Sequence, residues 1–329
     1  LKGTVGEAGE EEIRERFLRL FPLREGISVS SREDAGMLEL GGGLWVWTED
    51  LLVEEIHFRR RWADPFLLGR KALGVSLADC AAMGAEPFAV LVSLALPRDL
   101  PLEFLERLAL GLREEAVRWR LGLAGGDTNA SPHPLVIGTS VLGRVPGEPF
   151  RVDRARPGDV LAVTGPLGGA ALGLYCLEQG LDLPAARESV QRQLCPPVRL
   201  EEARALARSG LRVACRDASD GLVPAARALA SASGVAVEIE EASLPLVPGL
   251  SEAARELGLD PVSLALWGGE DYELVVSLPR LPDSPPLLPV GRVVKGEGVF
   301  LLREGKRIPL AGRGYDSVRG GDDLPWRSA

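Results

Sequence analysis

Residues 65–83 constrain the fold more than any other stretch. Proline opens the segment, Gly84 stands just past its end, and nothing in 74–83 is charged except Asp79. Proline at the first position and glycine beyond the last are the marks of a helix. A helix that is apolar almost all round has no solvent face and has to lie between other layers. Its lone carboxylate is therefore anomalous, because a buried unpaired carboxylate is costly or is forced neutral. Either an arginine or a helix end pairs with Asp79, or a metal ion offsets its desolvation.

Around this helix the chain alternates helical and strand periodicities, which indicates an α/β or α+β fold. Helices are expected over 11–21, 102–119, 169–178 and 200–208. Strands are expected over 44–48, 88–96, 135–142, 160–164, 235–239 and 274–278, with 288–294, 299–303 and 307–310 closing as a β-meander. The run Val145-Pro146-Gly147-Glu148-Pro149 punctuates the alternation. It divides the 329 residues into 1–148 and 149–329, close to the ~150 residues usual for a domain.

Other carboxylates gather at element ends or beside glycine. Gly125-Gly126-Asp127-Thr128 reads as a turn in which the glycines allow close approach to a ligand. Asp217-Ala218-Ser219-Asp220-Gly221-Leu222 sets two acids three apart before a helical run, where Ser219 or Asp220 would also serve as N-cap. Thr48-Glu49-Asp50 closes a strand, and Glu33-Asp34 alone would pass as a solvated turn. Converging carboxylates repel by ~4 kcal/mol per close pair at an effective dielectric of ~20. Divalent cations relieve that repulsion, and ligands that are all oxygen suit Mg²⁺ rather than zinc.

Composition narrows the partners. Lys and Arg total 38 against 47 Asp and Glu, a net charge of −9. That balance argues against nucleic acid or an anionic membrane, but not against small phosphorylated substrates held through Mg²⁺. The four cysteines form no C-x-x-C pair, and no apolar run approaches a membrane span. The start of the chain has no secretory apolar region, so a cytoplasmic protein is expected. The loop 164–170 reads as a tight strand–helix turn that is not a Walker loop. No Ser/His/Asp or Cys/His arrangement and no G-x-S-x-G elbow is present. His57 beside Glu54 and Glu55 reads as a surface or capping residue.

The ordered set of these segments resembles the thiamine-monophosphate kinase family, in the superfamily of aminoimidazole ribonucleotide synthetase and selenophosphate synthetase. It runs from Lys71-Ala72-Leu73 through Asp79-Cys80-Ala81-Ala82-Met83-Gly84-Ala85 and Gly125-Gly126-Asp127-Thr128 to Arg156-Pro157-Gly158-Asp159. It continues with Asp217-Ala218-Ser219-Asp220-Gly221-Leu222, Gly268-Gly269-Glu270-Asp271-Tyr272-Glu273 and Gly314-Tyr315-Asp316. The resemblance implies an N-terminal sheet that forms a barrel across a homodimer, followed by a C-terminal α/β domain. It implies ATP-dependent phosphorylation of thiamine monophosphate to thiamine diphosphate, with Mg²⁺ and a monovalent cation such as K⁺. It assigns Asp34, Thr48, Glu49, Asp50, Asp79, Asp127, Asp217 and Asp220 to metal. Gly126, Asp127, Ser219 and either Arg151 or Arg154 fall to ATP, and His57, Glu270 and Tyr315 to the acceptor. Tyr315 would stack on the cationic thiazolium or cap the final strand. No general base is expected, because the acceptor phosphate is already ionised.

The chain departs from the family pattern in several places, among them the expected arginine before Arg156-Pro157-Gly158-Asp159, which is Arg151 or Arg154, and the closing His-Phe, which is Ser317-Val318 here. Ser30-Ser31-Arg32-Glu33-Asp34 lacks the glycines of the family's ATP loop, and Thr48-Glu49-Asp50 carries an extra carboxylate. Two alternatives stand beside the kinase: an aminoimidazole ribonucleotide synthetase-type ligase, and a nucleotide- or metal-binding relative without turnover. The Gly-Gly-Glu-Asp-Tyr-Glu segment disfavours the ligase, while the altered loop motivates the silent relative.

Overall fold

The computed structural model describes residues 4–22, 24–30 and 32–311. Among them two sheets are built from separate parts of the chain. The first contains β1 (Ile27–Ser28), β2 (Gly36–Leu40), β3 (Gly43–Val53), β4 (Glu86–Pro97), β5 (Gly122–Ser131) and β6 (Val136–Val145), in the order β1-β2-β3-β6-β4-β5. Its neighbours are antiparallel except β4 and β5. The second contains β7 (Val160–Val163), β8 (Ala214–Asp217), β9 (Ala236–Glu240), β10 (Leu274–Leu278), β11 (Leu288–Val294), β12 (Gly298–Arg303) and β13 (Lys306–Pro309). Its order is β13-β12-β9-β11-β7-β10-β8, with only β9 and β12 parallel.

Ten helices accompany these sheets among the described residues: α1 (Val5–Ala8), α2 (Glu10–Leu20), α3 (Pro65–Ala82), α4 (Leu102–Trp119), α5 (Gly169–Gln179), α6 (Arg187–Leu194), α7 (Leu200–Arg208), α8 (Leu222–Ser233), α9 (Leu250–Leu257) and α10 (Pro261–Trp267). The long apolar helix is α3. Asp64 caps it by accepting from the backbone N–H groups of Phe66 and Leu67 at 2.8 and 3.0 Å. It packs on β3, β6 and α4 and also meets α7, β8 and β10. One continuous core joins Val46, Val90 and Val141 of the first sheet to Leu73, Leu77 and Cys80 of α3. The same core takes in Ala162, Leu200, Cys215 and Leu274 from the second half. This double burial explains why α3 has no polar stripe. At the α3–α4 crossing a Cβ on Gly111 would lie 2.0 Å from the Phe66 carbonyl oxygen, so only glycine fits there.

Several sequence expectations are corrected. Residues 288–310 do not form a meander, because β9 lies between β11 and β12. Gly125-Gly126-Asp127 is not a turn but the middle of β5, where Gly126 is needed because a Cβ would fall 1.8 Å from the Val92 carbonyl oxygen. β3 runs on to Val53, which places Thr48 and Asp50 mid-strand. Helix α8 begins only at Leu222, so Ser219 and Asp220 lie in the loop before it and Gly221 takes the cap position.

Alternation along β3 buries Val46, Thr48 and Leu52 against α3 and turns Trp47, Glu49 and Leu51 outward. Trp47, Leu51, Phe88 and Leu91 leave the outer face of the first sheet apolar and exposed.

Candidate functional site

The site forms where α3 meets both sheets. On α3 the spacing Ala72, Ser76, Asp79 lines one helical face along β3 and β6. The Ala72 carbonyl accepts from the Thr139 hydroxyl at 2.8 Å. The Ser76 hydroxyl donates to Asp50 Oδ2 at 2.8 Å, and the Thr48 hydroxyl donates to Asp79 Oδ2. From the other side Asp217, the last residue of β8, enters beneath the loop that carries Asp34. Asp34, Asp79 and Asp217 each offer an oxygen within 4.8 Å of the others. Asp217 Oδ1 accepts from the Ser219 hydroxyl at 2.6 Å, and Arg216 Nε lies 3.4 Å from Asp34 Oδ1.

The electrostatics reflect this crowding. Burial first, then Asp217 and Glu33 against the relief from Arg216, pushes Asp34 up to about 8. Burial and the neighbouring Asp217 and Glu49 push Asp50 to about 6 despite the Ser76 hydrogen bond. Asp79 is driven well above the ordinary carboxylate range by burial and by Asp50, Asp217 and Asp34. Asp220 is raised to about 7, again chiefly by burial. Asp34 Oδ2 and Asp217 Oδ2 are buried and receive no hydrogen bond. Three grouped carboxylates, two of them with an orphaned oxygen and all of them oxygen donors, form a set that fits Mg²⁺.

Other predicted residues stand outside this trio. Glu49 is exposed on the outer face of β3. Asp127 is exposed on edge strand β5, where Asn129 donates to its Oδ2 at 2.7 Å. Gly126 shares a sheet row with Asp50 through Thr139 and Val92, three strand spacings or roughly 14 Å away. Arg151 is paired bidentately with Asp153 at 2.8 and 2.9 Å, and Arg154 with Glu148 at 2.8 Å. Both arginines are therefore held by acids of their own segment. Tyr315 lies outside the described residues. Glu33 is buried and accepts from the Val152 N–H at 3.3 Å, which ties down the loop that lacks the family's glycines.

His57 and Glu270 mark a second, adjoining region. His57 Nδ1 accepts the Val53 N–H at 3.1 Å, leaving the proton on Nε2, and burial lowers the imidazole's pKa. Glu270 accepts from Lys71 Nζ at 2.9 Å and from Gln193 Nε2 at 2.7 Å. Burial alone would raise Glu270; the Lys71 charge and these hydrogen bonds outweigh it and hold the carboxyl below its usual range. The Glu270 N–H donates to the Ser219 carbonyl at 2.6 Å, so the Gly268–Glu273 turn is bound to the loop carrying Asp220.

The rest of that turn is used internally. Asp271 accepts the Gly168 and Ala170 N–H groups at 2.6 and 3.0 Å and so occupies the N-terminus of α5. The loop 164–170 thus presents those two donors to a carboxylate of this chain. Glu273, fully buried, accepts from Thr164, Arg192 and Arg199. Sequence reasoning missed Ser76, Lys71, Gln193 and Arg216 as supports of the site. The available signal was on α3, where Ser76 and Lys71 interrupt an apolar segment as Asp79 does.

Comparison with known proteins gives matches over most of the chain. Residues 32–145 match the AIR synthase related protein, N-terminal domain, and residues 156–278 the corresponding C-terminal domain. Thiamine-monophosphate kinase of Methanopyrus kandleri is 36% identical over 89% of this chain and 92% of its own length. That of Corynebacterium glutamicum is 33% identical over 95% of each. A solved structure of AaThiL complexed with AMPPCP and TMP superposes with a TM-score of 0.85 at 30% identity, covering 96% of this chain and 99% of that one.

Proposed function

The chain belongs to the thiamine-monophosphate kinase family, and we propose that it moves the γ-phosphoryl group of ATP directly onto the phosphate of thiamine monophosphate. The acceptor oxygen forms the new P–O bond as the bond to the β,γ-bridging oxygen breaks, leaving thiamine diphosphate and ADP. The acceptor phosphate is ionised at neutral pH, so the site needs no general base, and His57, neutral and hydrogen-bonded to the backbone, is not required as one. Catalysis then rests on alignment and on charge compensation.

Asp34, Asp50, Asp79 and Asp217 would hold Mg²⁺, with Thr48 and Asp220 beside them; Glu49, on the outer face of β3, and Asp127, on edge strand β5, stand apart from this cluster. When bound, Mg²⁺ neutralises charge on the transferring group. The protein's own part is to fix those oxygens: Ser76 orients Asp50, Thr48 orients Asp79 and Ser219 orients Asp217. Ser219, Gly126, Asp127 and Arg151 are assigned to ATP, and His57, Glu270 and Tyr315 to the acceptor, with K⁺ as an accessory cation. A homodimer would cover the apolar outer face of the first sheet and close it into a barrel. Residues 1–148 would supply the nucleotide and metal half and 149–329 the remainder. Free cysteines at 80, 176, 195 and 215 favour a reducing cytoplasm.

The observation that carries this reading is the grouping of Asp34, Asp79 and Asp217, each with an oxygen within 4.8 Å of the others, in which Asp34 and Asp217 each keep one unpartnered oxygen. The test is the purified chain with Mg·ATP and thiamine monophosphate, analysed by chromatography. Thiamine diphosphate formed from that acceptor is expected. ATP binding without product would point to the silent relative and refute the kinase.

A further inference from the structure

Lys71, Gln193 and Glu270 form a buried polar triangle drawn from α3, α6 and the Gly268–Glu273 turn. Lys71 Nζ donates to Glu270 Oε1 at 2.9 Å and to the Gln193 carbonyl at 3.1 Å, while Gln193 Nε2 donates to Glu270 Oε2 at 2.7 Å. Each carboxylate oxygen thus has its own donor, from a different helix. The backbone is pinned as well. Glu270 sits at φ 55°, a conformation uncommon for a non-glycine residue, and is kept there by its N–H bond to Ser219. The Lys71 side chain is 4% exposed, and its ammonium is directed to these two acceptors. A buried cation so engaged serves the carboxylate it touches.

We propose that Lys71 is a positioning residue for the acceptor substrate: with Gln193 it holds the Glu270 carboxylate in the one orientation that meets the cationic ring system of thiamine monophosphate. The inference rests on the assignment of Glu270 to that substrate. Lys71 lies 199 residues from Glu270 in sequence and touches it across the seam between α3 and the second half. The acceptor pocket is therefore assembled only when the two halves are docked.

Steady-state kinetics of the full chain test this. Lys71→Met is expected to raise KM for thiamine monophosphate roughly 10-fold or more while KM for Mg·ATP stays within about 2-fold. Glu270→Gln should do the same, and Lys71→Met/Glu270→Gln should be no worse than Glu270→Gln alone, because a residue acting through another has nothing left to act on. Lys71→Met by itself leaves a buried unpaired carboxylate and is the variant most prone to misfold. The double variant removes both charges, so its comparison with Glu270→Gln decides the matter even then. Equal rises in both KM values, or losses that multiply in the double variant, overturn the positioning role. A wild-type chain that forms no thiamine diphosphate overturns both readings; an active wild type with multiplying losses overturns only this one.

Discussion

Asp79→Asn separates what the acidic cluster does for chemistry from what it costs the fold. Two unit charges 4.8 Å apart, the widest spacing in the Asp34–Asp79–Asp217 trio, repel by about 3.5 kcal/mol at an effective dielectric of roughly 20. Three such pairs amount to about 10 kcal/mol, comparable to the ~5–15 kcal/mol by which a whole protein is stable. The trio cannot stand fully ionised by itself; it keeps protons or takes up a cation. Asparagine has the same shape, can still accept from Thr48 and carries no charge. In EDTA, Asp79→Asn should therefore melt at the wild-type temperature or above it. In saturating Mg²⁺ the wild type should gain several degrees and the variant almost nothing, with turnover lost. Differential scanning fluorimetry with and without Mg²⁺, beside the chromatographic assay, reads all three quantities. A variant that melts well below wild type in EDTA, or keeps its Mg²⁺ increment, would show that Asp79 is a structural acid.

The same cluster sets a pH dependence. Asp34, Asp220 and Asp50 hold protons up to about 8, 7 and 6 in the fold, whereas the unfolded chain releases them near 3.9. The native state thus binds more protons than the unfolded one between those limits, so metal-free stability should fall as pH rises from 5 to 8. Melting curves in EDTA check the sign, and the Mg²⁺ increment should grow over the same range. Glu273→Ala leaves Arg192 and Arg199 without their shared buried carboxylate. It should cost about 3–5 kcal/mol, read as a lower urea midpoint. Leu91→Glu on the outer face of the first sheet should abolish self-association in sedimentation analysis without lowering the melting point of the single chain.

The helix at the centre was legible because its punctuation and its apolarity are both local. α4, α7 and β10 were likewise read at their observed bounds. β5 was not, because two consecutive glycines read as a turn when the surrounding sheet is unknown. Only the close approach of the Val92 carbonyl explains why glycine stands in a strand there. β3 was cut short because Glu49 and Asp50 look like the end of a strand, although one faces out and the other is held by Ser76. The order of the second sheet was hidden for a different reason, since β9 pairs with strands far along the chain. Within the site, the close trio comes from the acids singled out in the sequence. Of the supports around it, Lys71 interrupts the apolar run of α3, whereas Gln193 depends on contacts between α6 and a distant turn that no local pattern announces.

Sharing one interior between two sheets has a cost for modularity. The proline- and glycine-rich joint near Val145 looks like a place to cut, yet severing the polypeptide there would strip α3 of half its surroundings. Leu73, Leu77 and Cys80 would then face water where Leu200 and Leu274 had been. Neither fragment alone would inherit a finished core.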